Sequence, residues 1–176
     1  MNYLETYWLT SKSVIGAVHF LSASVGLGVG LLILILRPGT KLHKRLGYIF
    51  VSVLLCVNIT ALFIHELGMR FGPFHYMIPF SVWALYRGIW PFTSKNFKGD
   101  RIVVHIKGMV AAALGLWAAF FAELFVRVPV IREIILPKTA NPVLGITIVG
   151  VFFFLVFVVL IFFVTKFQLK RIGKKK

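Results

Sequence analysis

The chain carries one cysteine, Cys56, and five acidic side chains in 176 residues. A single thiol excludes an intrachain disulfide and any CxxC-based metal site, and without CxxCH there is no attachment point for c-type haem. No HExxH, Ser/His/Asp set, Gly-rich phosphate loop or pair of carboxylates at glycosidase spacing appears, so hydrolase and kinase chemistry has no support. Charge of either sign is scarce, at 14% of residues against about 25% in a soluble domain. What is abundant is apolar: 59% of residues are hydrophobic, with a mean hydropathy of +0.91. The 20 Lys and Arg give a net charge of +15. In a polar chain this would suggest nucleic acid, but apolar runs of this length must be hidden in lipid first, so the bilayer is the partner implied and nucleic acid is not.

Five runs have spanning length: residues 14–36, 48–67, 75–92, 103–126 and 143–165. Short loops carrying Gly, Pro and Lys or Arg separate them. Backbone polar groups go unsatisfied in hydrocarbon, so a span is a helix or belongs to a closed barrel, and these runs lack the alternation of barrel strands. The expectation is an all-α integral membrane helical bundle of about five transmembrane helices, forming one domain over residues 1–176 with a short basic tail at 166–176. The first run continues past Gly26, Gly28 and Gly30, longer than the apolar core of a signal peptide, and is expected to be a retained helix.

Orientation follows from the basic residues. Arg37, Lys41, Lys44, Arg45, Lys95, Lys98, Arg101, Lys166, Lys170, Arg171, Lys174, Lys175 and Lys176 fall on one side, against Lys12, Arg70, Arg127, Arg132 and Lys138 on the other. The positive-inside rule then predicts the amino terminus outside and the carboxyl terminus in the cytoplasm. The tail has the composition to hold anionic lipid head groups. Tyr3, Tyr7 and Trp8 read as an aromatic interface anchor, and 128–136 as a short amphipathic helix along the outer interface.

Lipid tails supply no hydrophobic drive between helices, so small residues mark packed faces. Ser22, Gly26 and Gly30 form such a stripe in the first span, and His19 lies within about 60° of it at 100° per residue, facing protein. Gly108, Ala112, Gly115, Ala119 and Ala122 form a broad small face in the fourth. The fifth span has no ionisable residue before Lys166 and reads as lipid-facing.

Ionisable groups inside a membrane are costly, so each is a candidate site. His19, His65, Glu66, His75 and Glu123 sort toward the outer leaflet, and His43 and His105 toward the cytoplasmic side. Two chemistries suit that arrangement. Haem b can be held between imidazoles from different helices, with His19 and His75 as outer ligands and His43 and His105 as inner ones. Alternatively, His65, Glu66 and Glu123 with His19 and His75 have the ligand chemistry for a divalent transition metal such as zinc. Structural readings stand beside these: His43 as part of a solvated basic loop, His65 and His75 as helix-end residues, His19 in an interhelical hydrogen bond. Asn58 and Thr60 read as packing glue, and the Asn58-Ile59-Thr60 sequon lies inside a span, where no glycan can be added. Arg87, behind Trp83 and Tyr86, either snorkels to the inner interface or faces inward toward an anionic group.

The stretch Arg37-Pro-Gly-Thr-Lys-Leu-His-Lys-Arg-Leu-Gly-Tyr-Ile-Phe-Val, followed by Phe71-Gly-Pro-Phe-His75, resembles the bacterial membrane proteins grouped as domain of unknown function 2306. The likeness covers most of the chain from His19 to about Glu123. Recurring features of that family fall on His19, on His43 to Gly47, on Phe74-His75, and on His105 with Met109. This chain has His43-Lys44-Arg45 in place of a double Arg, and His105-Ile-Lys-Gly-Met109 where His-Arg is expected. The resemblance implies a multi-pass protein of the bacterial inner membrane and supplies no reaction. Three functions are carried forward: a b-type haem protein in membrane electron transfer, a transporter or metal-binding protein with an outer His/Glu site, and a non-catalytic subunit. The last would form a homo-oligomer or dock a membrane-protein partner through the small faces of the first and fourth spans.

Overall fold

The computed structural model describes residues 14–64, 73–128 and 142–173. The described residues form helices α1 (Val14–Ile35), α2 (Lys41–Ala61), α3 (Met77–Thr93), α4 (Arg101–Arg127) and α5 (Pro142–Gly173), with a 3-10 turn at Pro73–Tyr76 leading into α3. Four of them are long and apolar enough to cross a membrane. The exception, α3, has 17 residues, at the lower end of the spanning range. The interface anchor at Tyr3, Tyr7 and Trp8, the helix at 128–136, His65, Glu66 and the last three lysines lie outside the described residues.

Helix ends depart from the apolar runs. α2 begins at Lys41, not at residue 48, because Thr40 caps it: the Thr40 hydroxyl accepts from the His43 N–H, and Gly39 at φ 79° makes the preceding turn. His43 is therefore in a first helical turn and not in a solvated loop. α2 ends at Ala61, short of residue 67. α4 begins at Arg101, capped by Asp100, whose carboxylate accepts from the N–H groups of Ile102 and Val103. α5 continues to Gly173, so most of the expected tail is helical. Hydropathy marks where a chain leaves hydrocarbon, whereas Lys, Arg and Gln are good helix formers that carry the helix on into the head-group layer.

α1 and α2 form an antiparallel hairpin whose contacts climb in register. A side chain on Gly30 would press on Phe50 and on Ala113 of α4, and one on Gly26 on Leu116 and Val53. Farther along, the Ser22 hydroxyl reaches Cys56 Sγ at 3.3 Å and His19 reaches Thr60 at 2.9 Å. The small stripe of α1 thus packs into α2 and α4 together.

α4 is the central helix, touching α1, α3 and α5. Its closest neighbour is α3. A Cβ built on Gly108 would lie 2.6 Å from the Gly88 Cα, and one on Gly88 would meet Met109 Sδ at the same distance. Ala112, Ala118 and Ala122 are buried on α4, Ala122 completely. Against the other side of α4, Phe121 and Phe125 interleave with Phe153 and Phe157 of α5, with centroids 4.8 to 6.0 Å apart. As α4 advances from 121 to 125 the partners recede from 157 to 153, so α4 and α5 are antiparallel. Much of the remaining surface of α5 is exposed and apolar, including Phe152, Leu155, Phe162 and Phe163. In lipid such exposure carries no penalty.

Two polar side chains at the far end of α5 close the arrangement. Gln168 Nε2 donates to the Leu34 carbonyl at 2.6 Å and Arg171 Nη2 to the Ile35 carbonyl at 3.1 Å. Both carbonyls belong to the last turn of α1, where no intrahelical donor remains. The carboxyl ends of α1 and α5 therefore lie side by side. The faces proposed for partner docking at Gly26, Gly30 and Gly108 are filled from within the chain.

Gly108→Leu is expected to separate α3 from α4. Overpacking there should cost about 1–3 kcal/mol or more and lower the apparent melting temperature in detergent, read by fluorescence-detected size exclusion. Gly28→Ala, which meets nothing within 4 Å, should leave it unchanged.

Candidate functional site

α1 rests on α4, but α2 and α3 make little contact, and a cavity of about 640 Å³ lies between the α1/α2 hairpin and α3, α4 and α5. α2 and α3 are joined across this gap by Asn58 Nδ2 donating to Ser81 Oγ at 3.0 Å. His19 of α1, His75 of the 3-10 turn and Glu123 of α4 all line the cavity, with Asn58, Ser81 and otherwise mainly apolar residues such as Phe157. The volume falls in the range of about 300–1,000 Å³ typical of cofactor and ligand sites, and an apolar wall with a few convergent polar groups is their usual character.

The protonation of His19 follows from its neighbour. Thr60 Oγ1 lies 2.7 Å from the Cys56 carbonyl and 3.1 Å from that of Val57. Two oxygens that close need a hydrogen between them, so the single hydroxyl proton of Thr60 is committed to the backbone. Toward His19 the hydroxyl can only accept, and the bond is Nδ1–H donating to Thr60 Oγ1. In the neutral imidazole Nε2 of His19 then carries the lone pair, and an acceptor holding the other ring nitrogen is the usual way a ligand histidine is oriented.

At the other end of the bundle the same logic applies to His105. Its Nδ1 is 2.7 Å from the Gly88 carbonyl, which can only accept, so Nδ1 carries a proton and donates to it. Pro91, buried one turn on in α3, has no N–H for the Arg87 carbonyl. Next to this break in the ladder the Gly88 carbonyl takes up the histidine. Phe92 stands edge-on to the imidazole at 5.0 Å. His43 comes close enough for charge on His105 to act on it, and its own Nδ1 is buried without a hydrogen-bond partner.

The histidines grouped from sequence thus separate in kind. His19 and His75 share a cavity with Glu123. His43 and His105 approach each other, but neither lines that cavity. His65 and Glu66 lie outside the described residues. Among the described residues no three His, Cys, Asp or Glu side chains are grouped to hold a metal ion. Arg87 sits 5.8 Å above the Trp83 ring, a cation–π contact with the residue one turn before it. Sequence reasoning passed over Ser81, Gln168 and Arg171; the signal available for Ser81 was a lone hydroxyl inside an apolar run.

An apolar helical bundle with polar groups gathered round an internal cavity defines an integral membrane protein with a ligand-sized site. The chain belongs to the family described as predicted membrane protein (DUF2306), whose family model matches residues 16–165. Neither a curated protein nor a solved structure matches it.

Thr60→Val removes the acceptor that holds His19. Histidine ¹⁵N spectra of labelled protein are expected to show His19 as the Nδ1–H tautomer in the parent chain and as a mixture in the variant.

Proposed function

We propose that the chain is a b-type haem protein of the membrane, with the haem in the cavity between the two hairpins and His19 and His75 as its ligands. The observation that carries the reading is that two imidazoles from different elements, one with its Nε2 lone pair oriented by Thr60, border one apolar cavity of ligand size. The donor set fits the group: imidazole is the usual axial ligand of b-type haem, and the apolar wall suits a macrocycle. When bound, haem supplies one-electron chemistry, which makes electron transfer within the membrane the implied activity. The chain's part is to position His19 through Thr60, to exclude water with residues such as Leu116 and Phe157, and to place the Glu123 carboxyl in the same cavity. The reading takes one haem, because neither His43 nor His105 lines this cavity.

The test is the reduced-minus-oxidised visible spectrum of protein purified from haem-sufficient cells. Sharp α and Soret bands at one haem per chain are expected, with loss of the bands in both His19→Ala and His75→Ala and retention in His105→Ala. Colourless protein that takes up no haem on reconstitution, or bands that survive both outer substitutions, would overturn the reading.

The same reading places the amino terminus outside and the carboxyl terminus in the cytoplasm of a plasma or inner membrane, on the strength of the basic loops. A green fluorescent protein fused after Lys176 should fluoresce and an alkaline phosphatase fused there should be inactive; the opposite pair of results would invert the topology.

A further inference from the structure

A second groove, of about 550 Å³, opens on α3, α4 and α5; it shares Trp83, Ala111, Val158 and Ile161 with the wall of the His19/His75 cavity, while Lys107, Phe162, Thr165, Lys166 and Leu169 belong to it alone. Its floor is apolar, built from Ala111, Val158, Ile161 and Phe162, with Trp83 on one side. Lys107 and Lys166 border it as well. Lys107 lies one turn before Ala111 on α4 and Lys166 one turn after Phe162 on α5. Because the two helices are antiparallel, both ammonium groups stand at the same end of the groove. Among the described residues the acidic side chains are Asp100, whose carboxylate caps α4, and Glu123, which lines the other cavity. The two exposed lysines thus converge from different helices over an apolar floor with no counter-charge. A further polar group on the same wall, Thr165, is 8% exposed, and its hydroxyl is buried without a partner.

We propose that this groove binds an anionic phospholipid, with the phosphate between Lys107 and Lys166 and an acyl chain along Val158, Ile161 and Phe162. Two positive charges at one end of an apolar channel complement a lipid with a net negative head group and do not complement a zwitterionic one. Threonine in a helix adopts two χ1 rotamers, and rotation turns the Thr165 hydroxyl from its unpartnered position toward a phosphate or ester oxygen. The site differs from diffuse attraction by the carboxyl tail, because it needs a lysine from α4 as well as one from α5.

The test is native mass spectrometry of the full chain in detergent, titrated with phosphatidylglycerol and phosphatidylcholine of the same acyl chains. Tight binding of one phosphatidylglycerol and weak binding of phosphatidylcholine are expected. Each lysine near a charged head group is worth about five-fold in affinity, so the double variant Lys107→Gln, Lys166→Gln should bind phosphatidylglycerol roughly thirty-fold more weakly. The tail variant Lys170→Gln, Lys174→Gln should stay close to the parent chain. Ile161→Trp, which fills the groove without altering charge, should expel the lipid, and Thr165→Val should weaken it by a smaller factor. Equal binding of the two lipids by the parent chain, or full affinity in the double variant or in Ile161→Trp, would overturn the proposal. So would an equal loss in the tail variant. If the double variant fails to give a helical, monodisperse protein, Lys107→Gln alone carries the test at about five-fold.

Discussion

The backbone contact between Gly88 and Gly108 is the fixed point of the bundle. With no hydrophobic drive between helices in lipid, association rests on close packing and on polar contacts, and a hydrogen atom in place of a side chain on both helices allows the closest approach. From that contact the other elements take their places. The Gly88 carbonyl comes within reach of His105, so one end of α4 is tied to α3. The amino-terminal half of α3 brings Ser81 toward Asn58 of α2, and the turn before it brings His75 to the cavity. Any residue larger than glycine at position 108 shifts all three.

Polar side chains inside the bundle serve two ends. Most are consumed by helix pairing: Ser22 with Cys56, Asn58 with Ser81, Gln168 and Arg171 with the open carbonyls of α1. Each such bond in a membrane is worth about 0.6–2 kcal/mol, enough to select one helix arrangement among several of similar apolar packing. The hydroxyl of Thr60 goes further, since its proton already belongs to the α2 backbone and its remaining capacity sets the tautomer of His19. His19, His75 and Glu123 in addition border the cavity between the hairpin and α3, α4 and α5.

Much of this was legible in the residues and some was not. The centres of the spans follow from hydropathy, and the inward orientation of His19 follows from its angle to Ser22, Gly26 and Gly30, because both depend only on local periodicity. That His43 and His105 lie toward the same end of the bundle was approachable through charge sorting, since both lie among the basic residues of one side. Helix ends were misplaced, by seven residues at the start of α2 and eight at the end of α5, because hydropathy reports the edge of hydrocarbon while caps such as Thr40 and Asp100 report the edge of the helix. The capping of α1 by Gln168 links residues 134 positions apart, and no local pattern encodes it. The cavity was out of reach for the same reason: it exists because α2 leans on α1 and α3 on α4, a matter of packing between hairpins.

One helix reaches both candidate sites, which meet along a common wall of Trp83, Ala111, Val158 and Ile161. α4 carries Glu123 into the cavity and Lys107 to the outer groove, sixteen residues apart, or about 24 Å along the axis at 1.5 Å per residue. That is most of the roughly 30 Å thickness of the hydrocarbon core. A carboxyl near one leaflet and an ammonium near the other each find polar surroundings at their own depth. Between them α4 presents mainly alanine, Gly115 and Leu116, with nothing ionisable. The small residues that let α4 lie against α1 and α3 are thus the same ones that keep its middle free of charge, and the ionisable groups of both sites are left to its ends, where lipid tolerates them.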